Sequence, residues 1–179
     1  MRDVRYQIIK PKFDEGKIKR FKDILLDVPK TLIAKDIGKS GAHFNKVIGE
    51  VALFRIKELA KIGQLCDLSL SEMIKIISAD CVMPKPKDKD DRYENTYLMF
   101  KTGKIKSFEE IFQFIPKSIV ASHMRTKSDR LGRLINKVED FVIKEVLLIG
   151  SLCYLNKDQT LSLILVAYED QNSKKSKKS

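Results

Sequence analysis

The sequence predicts a mainly α protein made of two tandem units, each of about five short helices. Three observations predict it. The chain matches itself at a fixed offset of 87 residues: IKRFKDILLDVPKTLIAKDI from Ile18 lies over IKSFEEIFQFIPKSIVASHM from Ile105, and VALFRIKELAKIGQLCDL from Val51 over VEDFVIKEVLLIGSLCYL from Val138. No gap is needed between 5–77 and 92–164, and 24 of the 73 paired positions are identical, so chance does not explain the register. Apolar residues recur at helical spacing in short runs separated by Pro, Gly and Ser. Finally, 43% of the 179 residues are hydrophobic and 33% charged, enough apolar material for a core and too much for a wholly disordered chain.

In the first unit Phe21, Ile24, Leu25 and Val28 share one helical face, and Pro29 stands at the joint to the next element. Residues 31–37 predict a second helix with Leu32, Ile33 and Ile37 inward, closed by Gly38 as a left-handed cap. Ser40 is the N-cap of a third helix over 41–49, which buries Phe44, Val47 and Ile48. A fourth helix runs over 56–66, and a fifth starts at Ser69 or Ser71, where Ser69-x-x-Glu72 forms a capping box. The second unit repeats the pattern with Phe108, Ile111, Phe112 and Ile115, then Pro116, then Ile119, Val120 and Met124. Leu131, Leu134 and Ile135 supply its third helix, and Ile143, Val146, Leu147, Ile149 and Leu152 its fourth.

Residues 4–13 and 93–100 read as either strands or short helices. Leu161–Tyr168, the most apolar stretch, either finishes the fifth helix or packs between the units, and is the candidate surface for self-association. The domain reading is therefore a first unit at 5–77, a charged Pro-containing linker at 78–91, a second unit at 92–170 and a basic disordered tail at 171–179.

Lys and Arg (35) exceed Asp and Glu (24), giving +11, of which residues 5–77 carry +6 and residues 92–164 carry +4. The excess sits on both folded units, as a polyanionic partner requires. No run of 18 apolar residues exists and no signal core follows Met1, so neither a membrane partner nor secretion is expected. Cys66, Cys81 and Cys153 form no C-x-x-C and read as reduced thiols, the first and last as packing residues. His43 and His123 have no metal-ligand spacing, no G-x-S-x-G occurs, and Gly38-Lys39-Ser40 lacks the upstream glycine of a phosphate loop. No enzyme activity, metal or cofactor is expected.

The run IAKDIGKSGAHFNKVI (33–48) followed by IKELAKIGQLCDLSLSEMIKII (56–77) resembles the lambda-repressor-like (Cro-type) helix-turn-helix family, here as a tandem duplication. Ala34, Gly38 and Phe44 match its small, turn and buried positions, and the F-x-x-I-F-x-x-I-P-K-[ST]-x-x-A run before the second unit's turn resembles small bacterial proteins of this kind. The second unit departs from the pattern: Arg125 replaces the turn glycine and Thr126-Lys127 replaces Lys39-Ser40. The resemblance implies a cytoplasmic, nucleoid-associated transcriptional regulator whose third helix reads the major groove of double-stranded DNA.

Carried over, the base-reading positions are Ser40, His43, Asn45 and Lys46 in the first unit and Lys127, Ser128, Arg130 and Arg133 in the second. Arg matches guanine O6/N7 and Asn matches adenine N6/N7, which favours Arg130, Arg133 and Asn45. Lys30, Thr31, Lys35, Lys39, Lys117 and Ser118 are the phosphate candidates. The 14-residue linker reaches about 46 Å when extended, beyond the roughly 34 Å between half-sites. The reading segments GAHFNK and SDRLGR differ, so the implied target is asymmetric. The alternative is a protein-interaction module on a degenerate duplication; it requires Arg130, Arg133, Asn45 and Lys46 buried or salt-bridged.

Overall fold

The computed structural model describes residues 3–85 and 91–176, and the chain divides in sequence between Val82 and Met83 into two compact units. Both are helical, and no strand forms among the described residues. The first unit contains α1 (Ile9–Asp14), α2 (Phe21–Asp27), α3 (Lys30–Asp36), α4 (Gly41–Gly49), α5 (Ile56–Cys66) and α6 (Leu70–Ser78). A 3-10 turn at Val4–Ile8 leads into α1, and another at Val51–Leu53 joins α4 to α5. The second unit contains α7 (Asp91–Lys101), α8 (Ile111–Phe114), α9 (Lys117–His123), α10 (Ser128–Asn136), α11 (Ile143–Leu152) and α12 (Lys157–Ser176). Its 3-10 turns lie at Phe108–Glu110 and Val138–Asp140.

The ambiguous segments 4–13 and 93–100 are therefore helical. Pro11 is tolerated in α1 because it falls in the first turn, where an amide N–H has no intrahelical partner. Two further differences from the sequence reading concern boundaries. Ser78 belongs to α6 and Asp91 to α7, so the helix-free part of the predicted linker that is described is 79–85; residues 86–90 lie outside the described residues. The disordered tail predicted at 171–179 is corrected over 171–176, which continue α12 to its full 20 residues, while 177–179 lie outside the described residues. The extension has partners: Gln171 accepts from the Val138 N–H (3.1 Å) and donates to the Ile135 carbonyl (3.0 Å), meeting free backbone groups at the end of α10.

Each unit closes over its own aromatic and aliphatic core. In the first, Phe21 on α2, Phe44 on α4 and Phe54 ahead of α5 are fully buried and pack edge-on or tilted against one another, with centroids 4.8–6.4 Å apart. In the second, Phe108 packs edge-on against Phe141 at 5.5 Å, and Leu131 occupies the position of Phe44. Burying each such side chain contributes about 1.5–3 kcal/mol. Leu25, Leu32, Ile48, Phe112, Ile119 and Met124, expected inside, are only half-buried, because they lie at the margin of the apolar stripe. Within 161–168, Leu161, Leu163, Ile164 and Ala167 are buried where α12 packs on α11 and on the two 3-10 turns; Val166 is its exposed large apolar residue. No described helix is long and apolar enough to cross a membrane.

Several backbone features fall at the same sequence offset of 87 in the two units. The starts of α3, α4, α5 and α6 at 30, 41, 56 and 70 recur at 117, 128, 143 and 157 in α9 to α12. Left-handed residues recur likewise: Gly16 and Gly103, Gly38 and Arg125, Asp67 and Tyr154. Buried Tyr6 donates to Asp36 at 2.8 Å, and its counterpart Tyr93 meets Nδ1 of His123 at 2.9 Å. In each unit a tyrosine thereby ties the first helical segment to the end of α3 or α9. Burial and the Asp36 hydrogen bond push the Tyr6 hydroxyl well above its ordinary pKa, so it stays a donor.

Candidate nucleic-acid interface

The candidate surface is built from α3 and α4 in one unit and from α9 and α10 in the other. Each pair is a seven-residue helix, a four-residue connection and a nine-residue helix. Gly38 takes φ 72° in the first connection, while the Lys39 N–H returns to the Ala34 carbonyl at 2.8 Å. Arg125 takes φ 52° in the second, and the Thr126 N–H returns to the Ala121 carbonyl at 2.9 Å. The departure from glycine therefore keeps the turn geometry and carries backbone strain instead.

Ser40 caps α4: its hydroxyl accepts from the His43 N–H at 3.2 Å, as its position suggests. Phe44 and Val47 face the core. The opposite side leaves His43, Asn45 and Lys46 exposed. On α10, Leu131, Leu134 and Ile135 are buried, and Lys127, Ser128 and Arg133 are exposed. Asn45, Lys46, Lys127 and Arg133 have no side-chain hydrogen bond or ion pair among the described residues. Of the phosphate candidates, Lys30, Thr31, Lys35, Lys117 and Ser118 are also exposed.

Two of the candidates are engaged elsewhere, and a third lies beside one of the same carboxylates. Lys39, with its side chain 26% exposed, puts Nζ 2.7 Å from Oε1 of buried Glu58 on α5. His43 Nε2 lies 3.5 Å from the same oxygen, which no well-aligned hydrogen bond reaches. The other oxygen of Glu58 accepts from the Arg55 N–H at 3.0 Å and caps α5. Burial opposes ionisation of Glu58, but Lys39, the Arg55 N–H and the nearby positive charge outweigh it and hold its pKa below the ordinary value. In the second unit Arg130 donates through Nη2 to Glu145 on α11 at 2.5 Å and through Nη1 to Thr126 at 3.2 Å. Glu145 also accepts from the Val142 N–H at 3.1 Å.

Thr126, Arg130 and Glu145 occupy the repeat positions of Lys39, His43 and Glu58. Both units thus bring the turn, the first coil of α4 or α10 and the start of α5 or α11 to one glutamate. Sequence reasoning did not single out Glu58 or Glu145. The available signal was their identity across the repeat, inside the shared Ile-Lys-Glu at 56–58 and 143–145. Gln171 was missed too, since a helix end 36 residues away gives it no local mark.

These residues define a mainly α protein with a cation-rich helix pair in each unit. No protein-family model, curated protein or solved structure matches the chain.

Proposed function

We propose that this protein binds double-stranded DNA through two tandem helix-turn-helix units of the lambda-repressor-like kind, and acts as a transcriptional regulator. The observation that carries the reading is the arrangement around α4 and α10. A short helix, a tight left-handed turn and a nine-residue helix recur in both units, with the second helix's apolar side buried and unpaired Asn45, Lys46, Lys127 and Arg133 outward. Helices presented this way enter the major groove, where their outward side chains meet base edges. Exposed Lys30, Lys35 and Lys117 on the preceding helices suit the phosphate backbone, and the net +11 favours encounter with a polyanion.

The test is fluorescence anisotropy of random-sequence and selected duplexes with the full chain at several salt concentrations. Binding whose log affinity falls steeply with log salt supports phosphate contacts, and selection of a defined sequence supports base reading. No binding at low salt overturns the reading. Two observations favour the interaction-module alternative for the second unit: Arg130 is ion-paired within its own unit, and Asp129 adds an exposed negative charge to the first turn of α10.

A further inference from the structure

The two glutamates beneath the reading helices bear on which side chains can read. Arg130 would be the first choice for a guanine contact by residue type and position. Its guanidinium is instead held on two sides, by Glu145 and Thr126, with 43% of the side chain exposed. Reaching a base edge means giving up the charge-assisted pair and leaving the partly buried Glu145 carboxylate without its cation. The first unit uses the same three positions with other chemistry, where Glu58 gathers Lys39 and His43. The glutamate is identical across the repeat and its cations are not. From 35–47 against 122–134, moreover, none of the thirteen paired positions is identical.

The geometry points to Glu58 and Glu145 as specificity-setting positioning residues. They hold Lys39 and Arg130 off the DNA and leave the reading to exposed His43, Asn45 and Lys46 in the first unit and to Lys127 and Arg133 in the second. This inference rests on the DNA-binding reading and deepens it. The partner it describes is a composite duplex site, with adenine opposite the free amide of Asn45 and guanine opposite the free guanidinium of Arg133.

The experiment compares salt dependence and selected sequence for the full chain and for R130Q, R133Q, E145Q and the double variant R130Q/E145Q. R133Q is expected to lower the slope of log affinity against log salt by about 0.9, the value of one lost cation contact, and to relax the guanine preference. R130Q is expected to leave both unchanged. E145Q, whose amide oxygen can still accept from the Val142 N–H, is expected to free Arg130, steepen the slope by about 0.9 and shift the selected sequence. The double variant is expected to return the slope to the wild-type value. A purely structural role for the pair predicts changed melting without this ordering of slopes, and melting curves of all four variants monitor it. An R130Q slope that falls as far as that of R133Q, or an E145Q slope that stays fixed, overturns the inference while leaving DNA binding intact. A wild-type chain that binds no duplex overturns the DNA reading itself.

Discussion

Residues 5–77 and 92–164 solve one structural problem with two sets of side chains, and the places where they differ separate scaffold from chemistry. Both units need a close crossing between their last two helices, α5 with α6 and α11 with α12. Gly63 and Gly150 provide it, each facing the other helix at the point of approach. What they face differs. A Cβ on Gly63 would stand 2.6 Å from the Leu68 carbonyl oxygen and 3.0 Å from the Met73 side chain. A Cβ on Gly150 would stand 2.0 Å from the Thr160 hydroxyl, and Thr160 holds the position of Met73. One obstacle is mainly backbone and the other is a side chain.

That contrast gives the largest expected effect. Gly63→Ala and Gly150→Ala should each destabilise their own unit by about 1–3 kcal/mol, the usual range for overpacking. Thr160→Ala should rescue Gly150→Ala by removing the atoms in the way. Met73→Ala should not rescue Gly63→Ala, because the Leu68 carbonyl stays. Thermal melts of the four single and two double variants check this, and equal rescue in both units would break the comparison.

The scaffold was legible in the sequence where the determining signal is local. The bounds of α4 and α5, the Ser40 cap, the left-handed Gly38 and the Ser69–Glu72 box all follow from residues within one turn of each other. The repeat then transferred these assignments to α10 and α11. The length of α12 was not legible, since residues 171–176 are polar and basic, and part of what holds them in place lies at Glu139, Ile135 and Val138. For the candidate site, residue type and register picked out the exposed side chains Asn45, Lys46, Lys127 and Arg133. They did not show that Lys39 and Arg130 turn back toward glutamates 19 and 15 residues away, because spacing on one helix does not register a partner on another.

The units also differ in how far their caps titrate. The first caps α6 with Ser69 and Glu72, whose carboxylate meets Lys10 at 2.7 Å as well as the Ser69 N–H at 2.7 Å. The second caps α12 with Asn156 and Gln159, which exchange two hydrogen bonds of 2.9 Å and carry no charge. Lys10 foremost, with Ser69, holds the Glu72 pKa below its ordinary value, and Glu58 is lowered as described above. A carboxyl whose folded pKa lies below its unfolded one contributes its full stabilisation above the unfolded value, about 4.3, and loses it as pH falls through the folded value. The first unit should therefore loosen in acid before the capping region of the second. Hydrogen exchange, corrected for the intrinsic pH dependence of the exchange reaction, should show α6 losing protection below about pH 4.3 while the start of α12 keeps it. Glu72→Gln should narrow that gap, and a gap unchanged by it would remove the cap as the cause.

The smallest expected effect lies in the turn, where the comparison reaches the candidate site itself. Gly38 and Arg125 share a left-handed conformation that costs a non-glycine residue about 1–2 kcal/mol. Glycine gives back part of that gain by widening the unfolded ensemble. Arg125→Gly should therefore stabilise the second unit by about 0.5–1 kcal/mol, and Gly38→Arg should destabilise the first by a similar amount. No atom stands within 4 Å of a Cβ built on Gly38, so the penalty there is conformational and not steric. Arg125 is exposed and has no ion-pair partner among the described residues. Its left-handed strain is therefore a conformational cost that no described ion pair offsets. On the DNA reading, Arg125→Gly should raise the melting temperature while weakening duplex affinity and flattening its salt slope. A higher melting temperature with an unaltered slope would make Arg125 a tolerated replacement outside the interface, and would move the edge of that surface to Lys127.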